Sequence, residues 1–289
     1  MLAVAVAGAA LAGCGTGSTG SAGGDGAGAQ AHRTPAVSAP SKPAADASAR
    51  PSPTAPPTVA AGPGGRTPVF ERARGGSREK VVALTFDADM TADQGPRAAA
   101  GERFDNPGLI ASLRRFKVPS TVFMTGRWAE EYPDQARSIG TDPLFEIANH
   151  SYSHHAFKSP CYGLPTVAPE KMRADLDRAF DAFRRAGARN VVPYFRFPGG
   201  CYDDRALRGL GPAKVTAVQW DVVSGDAFAT DADAVAEQVL AGVRPGSLVV
   251  MHCTRSAAPT TERALKRIVP ELRKKGYRFV KVSELIGRR

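Results

Sequence analysis

Apolar and polar positions alternate in two periods along this chain from Lys80 onward. Val81-Val82-Ala83-Leu84-Thr85-Phe86 is a short apolar run of the kind a fully buried strand shows. Pro107 to Phe116 predicts a helix with Leu109, Ile110 and Leu113 on one side, followed by a strand at Ser120 to Met124. A helix is expected near Trp128 to Ile139, then a strand at Phe145-Glu146-Ile147-Ala148. The clearest helical pattern runs from Pro169 to Ala186, where Met172, Leu176, Ala179, Phe180 and Phe183 follow the 3.6-residue period. Pro169 suits its opening position and Gly187 its close. Tyr194 to Phe197, Val218 to Val222 and Leu248 to Met251 read as later strands, the last two separated by a helix at Asp231 to Leu240. A helix at Glu262 to Lys275 and a strand at Tyr277 to Val280 close the chain. Strand–helix units joined by short links imply an α/β fold with a parallel sheet or barrel, whose chemistry gathers at the carboxyl ends of the strands.

The first part of the chain has neither period. Of the 51 residues from Gly15 to Gly65, 42 are Ala, Gly, Pro, Ser or Thr, and the only large aliphatics are Val37 and Val59. Such a segment buries too little apolar area to offset the entropy of ordering it. We therefore divide the chain of 289 residues into 1–13, 14–65 and 66–289, with a disordered spacer before one domain large enough for a real core. Gly15-Thr16-Gly17-Ser18-Thr19-Gly20 matches a dinucleotide-binding pattern letter for letter, but that pattern works only between a strand and a helix and disorder-promoting sequence follows it here, so it is set aside.

Leu2 to Gly13 is apolar or small, too short to span a bilayer stably, and ends in Leu11-Ala12-Gly13-Cys14. This resembles the lipobox of bacterial lipoproteins, although no Lys or Arg precedes the apolar run. The resemblance implies removal of residues 1–13, lipidation of Cys14, and a domain tethered to the outer face of the cell membrane by its lipid alone. Cys161, Cys201 and Cys253 would then lie in an oxidising compartment. We pair Cys161 with Cys201, each in a Gly/Pro-rich loop, and leave Cys253 free; three free buried thiols is the competing arrangement.

Charge adds a partner class. From Arg66 onward there are 35 basic and 26 acidic residues, a net +9. That favours anionic surroundings such as wall polymer, and no zinc-finger spacing, aromatic ribonucleoprotein motif or basic-zipper run points to nucleic acid. A monomer is expected.

The reactive side chains fall at expected strand ends. Asp87 and Asp89 follow the first strand, His150 the third, Arg196 sits in a strand-to-loop turn, Asp226 lies shortly past another strand, and His252 closes Leu248–Met251. His150-Ser151-Tyr152-Ser153-His154 places two imidazoles four apart, a spacing that on one helical turn lets both face a shared metal, with His155 leaving the register ambiguous. Ser151 stands where the metalloprotease pattern H-E-x-x-H has its general base, and no G-x-S-x-G elbow occurs.

Thr85-Phe86-Asp87 with a second Asp nearby, His150-x-x-x-His154, Arg196-x-Pro198-x-Gly200 and Leu248-Val249-Val250-Met251-His252, in that order, resemble the motifs of the polysaccharide deacetylases. That family is also called NodB-homology or carbohydrate esterase family 4, and the resemblance covers roughly Lys80 to Gly287. It implies a distorted (β/α) barrel and one divalent metal, usually zinc, held by Asp89, His150 and His154. It implies Asp87 as the general base, Arg196 as its ion-pair partner, His252 as the general acid and Asp226 as the acid that orients it. The turn near Gly199 would supply amides to an oxyanion.

Three departures stand out. The family's two adjacent acids are here Asp87-Ala88-Asp89; the aromatic after the motif proline is Gly199, with Tyr202 expected to fill that space; and the Trp after the fourth-motif Asp is Ala227, with Phe228 beside it. The reaction expected is removal of N-acetyl groups from a cell-wall or chitin-like polysaccharide, with peptidoglycan N-acetylglucosamine favoured by the tether. Two alternatives stay open: an O-acetyl esterase acting with the same site, as on xylan, and a glycan-binding lipoprotein in which the displaced Asp89 marks a lost metal site.

Overall fold

The computed structural model describes residues 55–73 and 79–288. The expected signal segment, Cys14 and the expected spacer up to residue 54 lie outside the described residues. The strands are β1 (Val69–Phe70), β2 (Val81–Ala88), β3 (Ser120–Met124), β4 (Phe145–Asn149), β5 (Val191–Phe195), β6 (Thr216–Val218), β7 (Val222–Val223), β8 (Ser247–His252) and β9 (Arg278–Phe279). The helices are α1 (Gly95–Ala99), α2 (Pro107–Phe116), α3 (Gly126–Glu131), α4 (Pro133–Gly140), α5 (Met172–Arg185), α6 (Asp204–Leu210), α7 (Ala232–Gly242), α8 (Thr261–Lys274) and α9 (Val282–Ile286). All strand pairs are parallel, in the order β1-β6-β5-β4-β3-β2-β8-β7, with β9 pairing β2 at its amino end.

The connection from β6 to β7 shows that this sheet curls. The two strands stand near opposite ends of the order, yet only Gln219, Trp220 and Asp221 lie between them. Four peptide steps reach at most about 14 Å. The two ends must therefore approach each other, giving the distorted (β/α) barrel of the NodB-homology type that the sequence implies.

The period of two sorts side chains between the faces. On β2, Val82, Leu84, Phe86 and Ala88 point to the outer layer, where they pack with Leu109 and Leu113 of α2 and Leu265 and Ile268 of α8. Val81 and Ala83 point to the inner face, with Phe123, Ala148, Tyr194 and Leu248 from neighbouring strands and Val282, Leu285 and Ile286 of α9. Two residues further along, this inner face changes character. Ala83 is followed by Thr85 and Asp87, Ala148 by His150, Tyr194 by Arg196, and Leu248 by Val250 and His252. The barrel interior is apolar toward the amino ends of its strands and ionisable at their carboxyl ends.

Local chemistry shifts some expected elements. The helix expected over Trp128 to Ile139 is two, α3 and α4, because Pro133 lacks an N–H and holds Tyr132 outside the helical region, at φ −122° and ψ 58°. The strand expected over Val218 to Val222 is β6 and β7, divided by the crossing just described. The spacer assigned by composition to 14–65 ends in a stretch laid against the domain. Tyr194 Oη donates to Pro57 O at 2.7 Å, Val59 N–H donates to Thr216 Oγ1 at 3.0 Å, and the Val59 side chain packs on the inner apolar cluster. Tyr194 and Thr216 are buried, and these bonds give their hydroxyls partners.

Candidate metal and hydrolytic site

Three groups of residues converge at the carboxyl end of the barrel. The first is an ion pair. Asp87, near the end of β2, lies opposite His252 of β8 in the sheet register. Its Oδ1 accepts from Arg196 Nη1 at 2.5 Å. Arg196 is fully buried, and its planar fork also donates to Thr85 Oγ1 at 2.9 Å and Val218 O at 3.2 Å. Its guanidinium lies 3.8 Å from the Phe123 ring centroid. Burial pulls the Arg196 pKa down and the Asp87 carboxylate opposes that. A buried charge held by this many fixed partners orients the carboxylate it faces.

The second group is a ligand set. Asp89, His150 and His154 each place one donor atom within 4.8 Å of the others. Asp89 Oδ1 lies 3.4 Å from His150 Nε2 and 3.6 Å from His154 Nε2. The second acid sits two residues beyond Asp87 instead of one, and this spacing keeps both carboxylates on the inner face while Ala88 turns outward into the apolar layer. Asp89 is fixed by its own backbone N–H, which donates to Thr254 Oγ1 at 2.8 Å. Its Oδ1 is buried and has no hydrogen-bond partner. Burial alone would raise the Asp89 carboxyl, but the imidazoles of His154, His150 and His252 hold it well below the usual carboxylate range.

The two imidazoles do not sit on a helical turn, as the spacing of four suggested. They converge through a loop in which Ser151 and His154 are left-handed, at φ 68° and 56°. Side chains build that loop: Asn149 Oδ1 accepts from Ser151 N–H at 2.8 Å, and Ser151 Oγ accepts from His154 N–H at 2.9 Å. Ser151, in the place of a protease's base, is thus a turn former. His150 Nδ1 lies 2.9 Å from Arg196 O. A carbonyl only accepts, so Nδ1 carries the proton and Nε2 turns toward Asp89. Burial lowers the His150 pKa, but Asp87 and Asp89 raise it more. Burial pushes His154 down to about 4, which keeps its lone pair free.

A buried, unpartnered carboxylate oxygen facing two imidazole nitrogens is a donor set of two N and one O, and it fits a divalent cation of the zinc type.

The third group is a His–Asp pair. His252 Nδ1 lies 2.8 Å from Asp226 Oδ1, and the His252 backbone N–H donates to Asp226 Oδ2 at 2.7 Å. Thr261 and Ser224 hydroxyls donate to the same carboxylate at 2.7 Å and 2.9 Å. Burial would lower the His252 pKa, but its bond to Asp226 and the charges of Asp226, Asp89 and Asp87 push it up to about 10. Its Nε2 faces the ligand set, 4.0 Å from Asp89 Oδ2.

The motif turn departs from expectation at Tyr202. That ring does not enter the space at Gly199; it stacks on Phe197 with centroids 5.0 Å apart, against a separate apolar cluster. Gly199, at φ 62°, is covered instead by the loop before α5: a Cβ there would lie 2.7 Å from Cys161 Sγ and 3.2 Å from Tyr162 Cδ2. Cys161 and Cys201 are disulfide-bonded, which ties that loop to the turn. Cys253 is free and buried, and burial pushes its thiol up to about 12.

All three groups open into one cleft of about 600 Å³, whose apolar wall includes Phe104, Leu164, Trp220 and Val223. Sequence reasoning named Thr85 within the first motif but gave it no role, and it missed the supporting polar residues Ser224, Thr254 and Thr261. Thr85 alone carried a signal, standing two residues before Asp87 on the same face of a strand.

Comparison with known proteins places this fold in a family. The family described as polysaccharide deacetylase matches residues 74–218. A chitooligosaccharide deacetylase of Sinorhizobium fredii is 29% identical over 214 residues, 71% of this chain and 91% of that protein. A peptidoglycan-N-acetylglucosamine deacetylase of Bacillus cereus is 28% identical over 213 residues, 73% of this chain and 90% of that protein. The fold is also that of a solved CE4 family pseudoenzyme from Bacillus anthracis, with a TM-score of 0.60 and 24% identity over 76% of this chain and 69% of the other. By the extent of the family match and the order of the residues at the strand ends, this chain belongs to the polysaccharide deacetylase family.

Proposed function

We propose that this protein is a metal-dependent hydrolase that removes N-acetyl groups from a cell-wall glycan, with peptidoglycan N-acetylglucosamine as the favoured substrate. The relatives act on acetylated amino-sugar polymers by their names, and this supports the substrate class. The observation that carries the reading is the placing of the Asp87–Arg196 pair and the Asp226–His252 pair around one ligand set.

Asp89, His150 and His154 would hold the cation, which on the family pattern is zinc. When bound, such an ion polarises the amide carbonyl and acidifies a water molecule. The remaining steps belong to the chain. Asp87, paired with and aimed by Arg196, accepts a proton from the attacking water. The water oxygen bonds to the acetyl carbon, and the Gly199 amide would donate to the developing oxyanion, those of Gly200 and Cys201 being bonded to Phe197 O and Pro198 O within the turn. His252 Nε2 then protonates the departing nitrogen as the C–N bond breaks, yielding acetate and a free amine. An acid protonated well above neutral pH suits an amine leaving group, which departs only with a proton, better than the alcohol of an ester. The ligand set reached by Asp89 argues against the reading as a binding module with a lost metal site. We further propose that Cys14 anchors the domain outside the cell; fatty-acid labelling lost in Cys14→Ala supports this, and labelling kept in it refutes it. Acetate released from N-acetylated peptidoglycan, and absent with Asp87→Asn, tests the reaction.

A further inference from the structure

The large apolar side chains most exposed among the described residues all belong to one place. Tyr162 is 88% exposed, Phe228 81% and Val223 52%, and all three line the catalytic cleft. Scattered exposed apolar residues need no explanation, but a cluster at the mouth of a site does.

Tyr162 and Phe228 are held there by the backbone. Both are left-handed, at φ 46° and 59°, a region that bulky side chains rarely adopt and that persists only when the surroundings impose it. Tyr162 follows Cys161, whose disulfide fixes it to Cys201 beside the Gly199 turn. Gly199 leaves room for this arrangement, since a Cβ there would press on both Cys161 Sγ and Tyr162 Cδ2. Phe228 is fixed from the other chain segment that borders the site, its N–H donating to Ala257 O at 2.6 Å, two residues past Asp226. Neither ring is buried to stabilise a core, and each stands on an anchored segment.

We propose that Tyr162 and Phe228 are sugar-stacking platforms that bind the rings flanking the acetylated one, so that the site selects an oligomeric glycan over a single sugar. This rests on the proposed function. A pyranose has a C–H face and a polar rim, so it can cover an exposed aromatic ring while its hydroxyls stay in water. A cleft that both rings share with buried carboxylates and imidazoles fits a polar, narrow ligand better than a protein surface. Anchoring lowers the ordering cost when such a ligand binds.

The test is calorimetric binding of N-acetylglucosamine oligomers of one to five rings to the wild type, Tyr162→Ala, Tyr162→Phe and Phe228→Ala, with acetate release measured in parallel. Affinity should rise with length in the wild type. Each alanine variant should bind the five-ring oligomer about tenfold more weakly, the loss of one stacking platform, while Tyr162→Phe stays within about twofold. The proposal is overturned if affinity in the wild type does not rise with length, if the alanine variants bind like the wild type, or if Tyr162→Phe loses as much as Tyr162→Ala. Acetate release without length-dependent binding leaves the proposed function standing and refutes this inference. Length-dependent binding lost in the alanine variants, with no acetate release, does the reverse.

Discussion

Asp226 grips His252 at two points: its Oδ1 lies 2.8 Å from the ring Nδ1, and its Oδ2 accepts the backbone N–H at 2.7 Å. The carboxylate therefore sets the orientation of the ring as well as its charge. Buried imidazoles ordinarily titrate low, and this one is pushed up to about 10.

The pH profile should report that pair. Asp226→Asn keeps the shape and removes the charge, so the His252 pKa falls toward the ordinary 6.5. The alkaline limb of kcat should move down by about one pH unit or more. Stability has the matching sign. A raised histidine pKa stabilises the fold fully below about 6.5, and that contribution is lost as pH climbs through about 10. In metal-free protein, thermal scans from pH 6 to 10 should fall more steeply for the wild type than for Asp226→Asn. Parallel slopes and an unmoved limb would show that Asp226 does not tune His252.

Asp89→Ala should cost metal affinity far more than fold. The Asp89 carboxylate is the one oxygen donor of the set with His150 and His154, and its buried Oδ1 has no hydrogen-bond partner. Affinity for zinc, read by competition with a chelating dye, should drop about a hundredfold or more. Melting of the metal-free protein should stay within a few degrees of the wild type. Unchanged affinity would exclude Asp89 from the ligand set.

Arg196→Met should destabilise as well as inactivate. It leaves the buried Asp87 carboxylate without its ion-pair partner, and breaking such a pair costs about 3–5 kcal/mol. Arg196→Lys should keep more of the stability, but a point charge cannot serve Asp87, Thr85 and Val218 at once, so kcat should still fall about tenfold or more. Urea unfolding and acetate release, measured on both, separate the two effects.

Gly199→Ala should fail for two separable reasons. The position is left-handed, and the new methyl would meet Cys161 Sγ at 2.7 Å. We expect a loss of about 1–3 kcal/mol in unfolding free energy. Measured against Cys161→Ala alone, the same substitution should cost less, because the sulfur contact is gone while the backbone penalty and the Tyr162 contact remain. Strictly additive effects would show that the loop carrying Tyr162 does not rest on Gly199.

Much of the site was legible because a strand repeats every two residues. Asp87, Arg196 and His252 extend inward-facing rows that begin with Ala83, Tyr194 and Leu248, so strand pattern and chemistry pointed to the same place. The spacing Asp87-Ala88-Asp89 looked like a defect by motif, whereas the same period makes it a way to keep both acids on one face. The spacing of His150 and His154 suggests a helical turn where the chain forms a loop, because spacing alone does not show that Asn149 and Ser151 side chains bond the backbone that a helix would need. The break at Tyr132-Pro133 had a local signal that the apolar pattern overrode. Tyr162 had none, since exposed aromatics in loops obey no period, and Phe228 was marked only by its place beside Ala227. The stretch from Ala55 to Gly65 is too poor in apolar residues for a core of its own, and it lies in place by meeting polar groups of the domain that composition cannot reveal.

The central claim is that Asp87 acts as base beside a metal held by Asp89, His150 and His154. Its most direct test is acetate release from N-acetylated peptidoglycan by four samples: wild type, wild type stripped by a chelator, the stripped protein with zinc restored, and zinc-loaded Asp87→Asn. Release by the first and third only is the result this account requires. Full release by the stripped protein or by Asp87→Asn would contradict it.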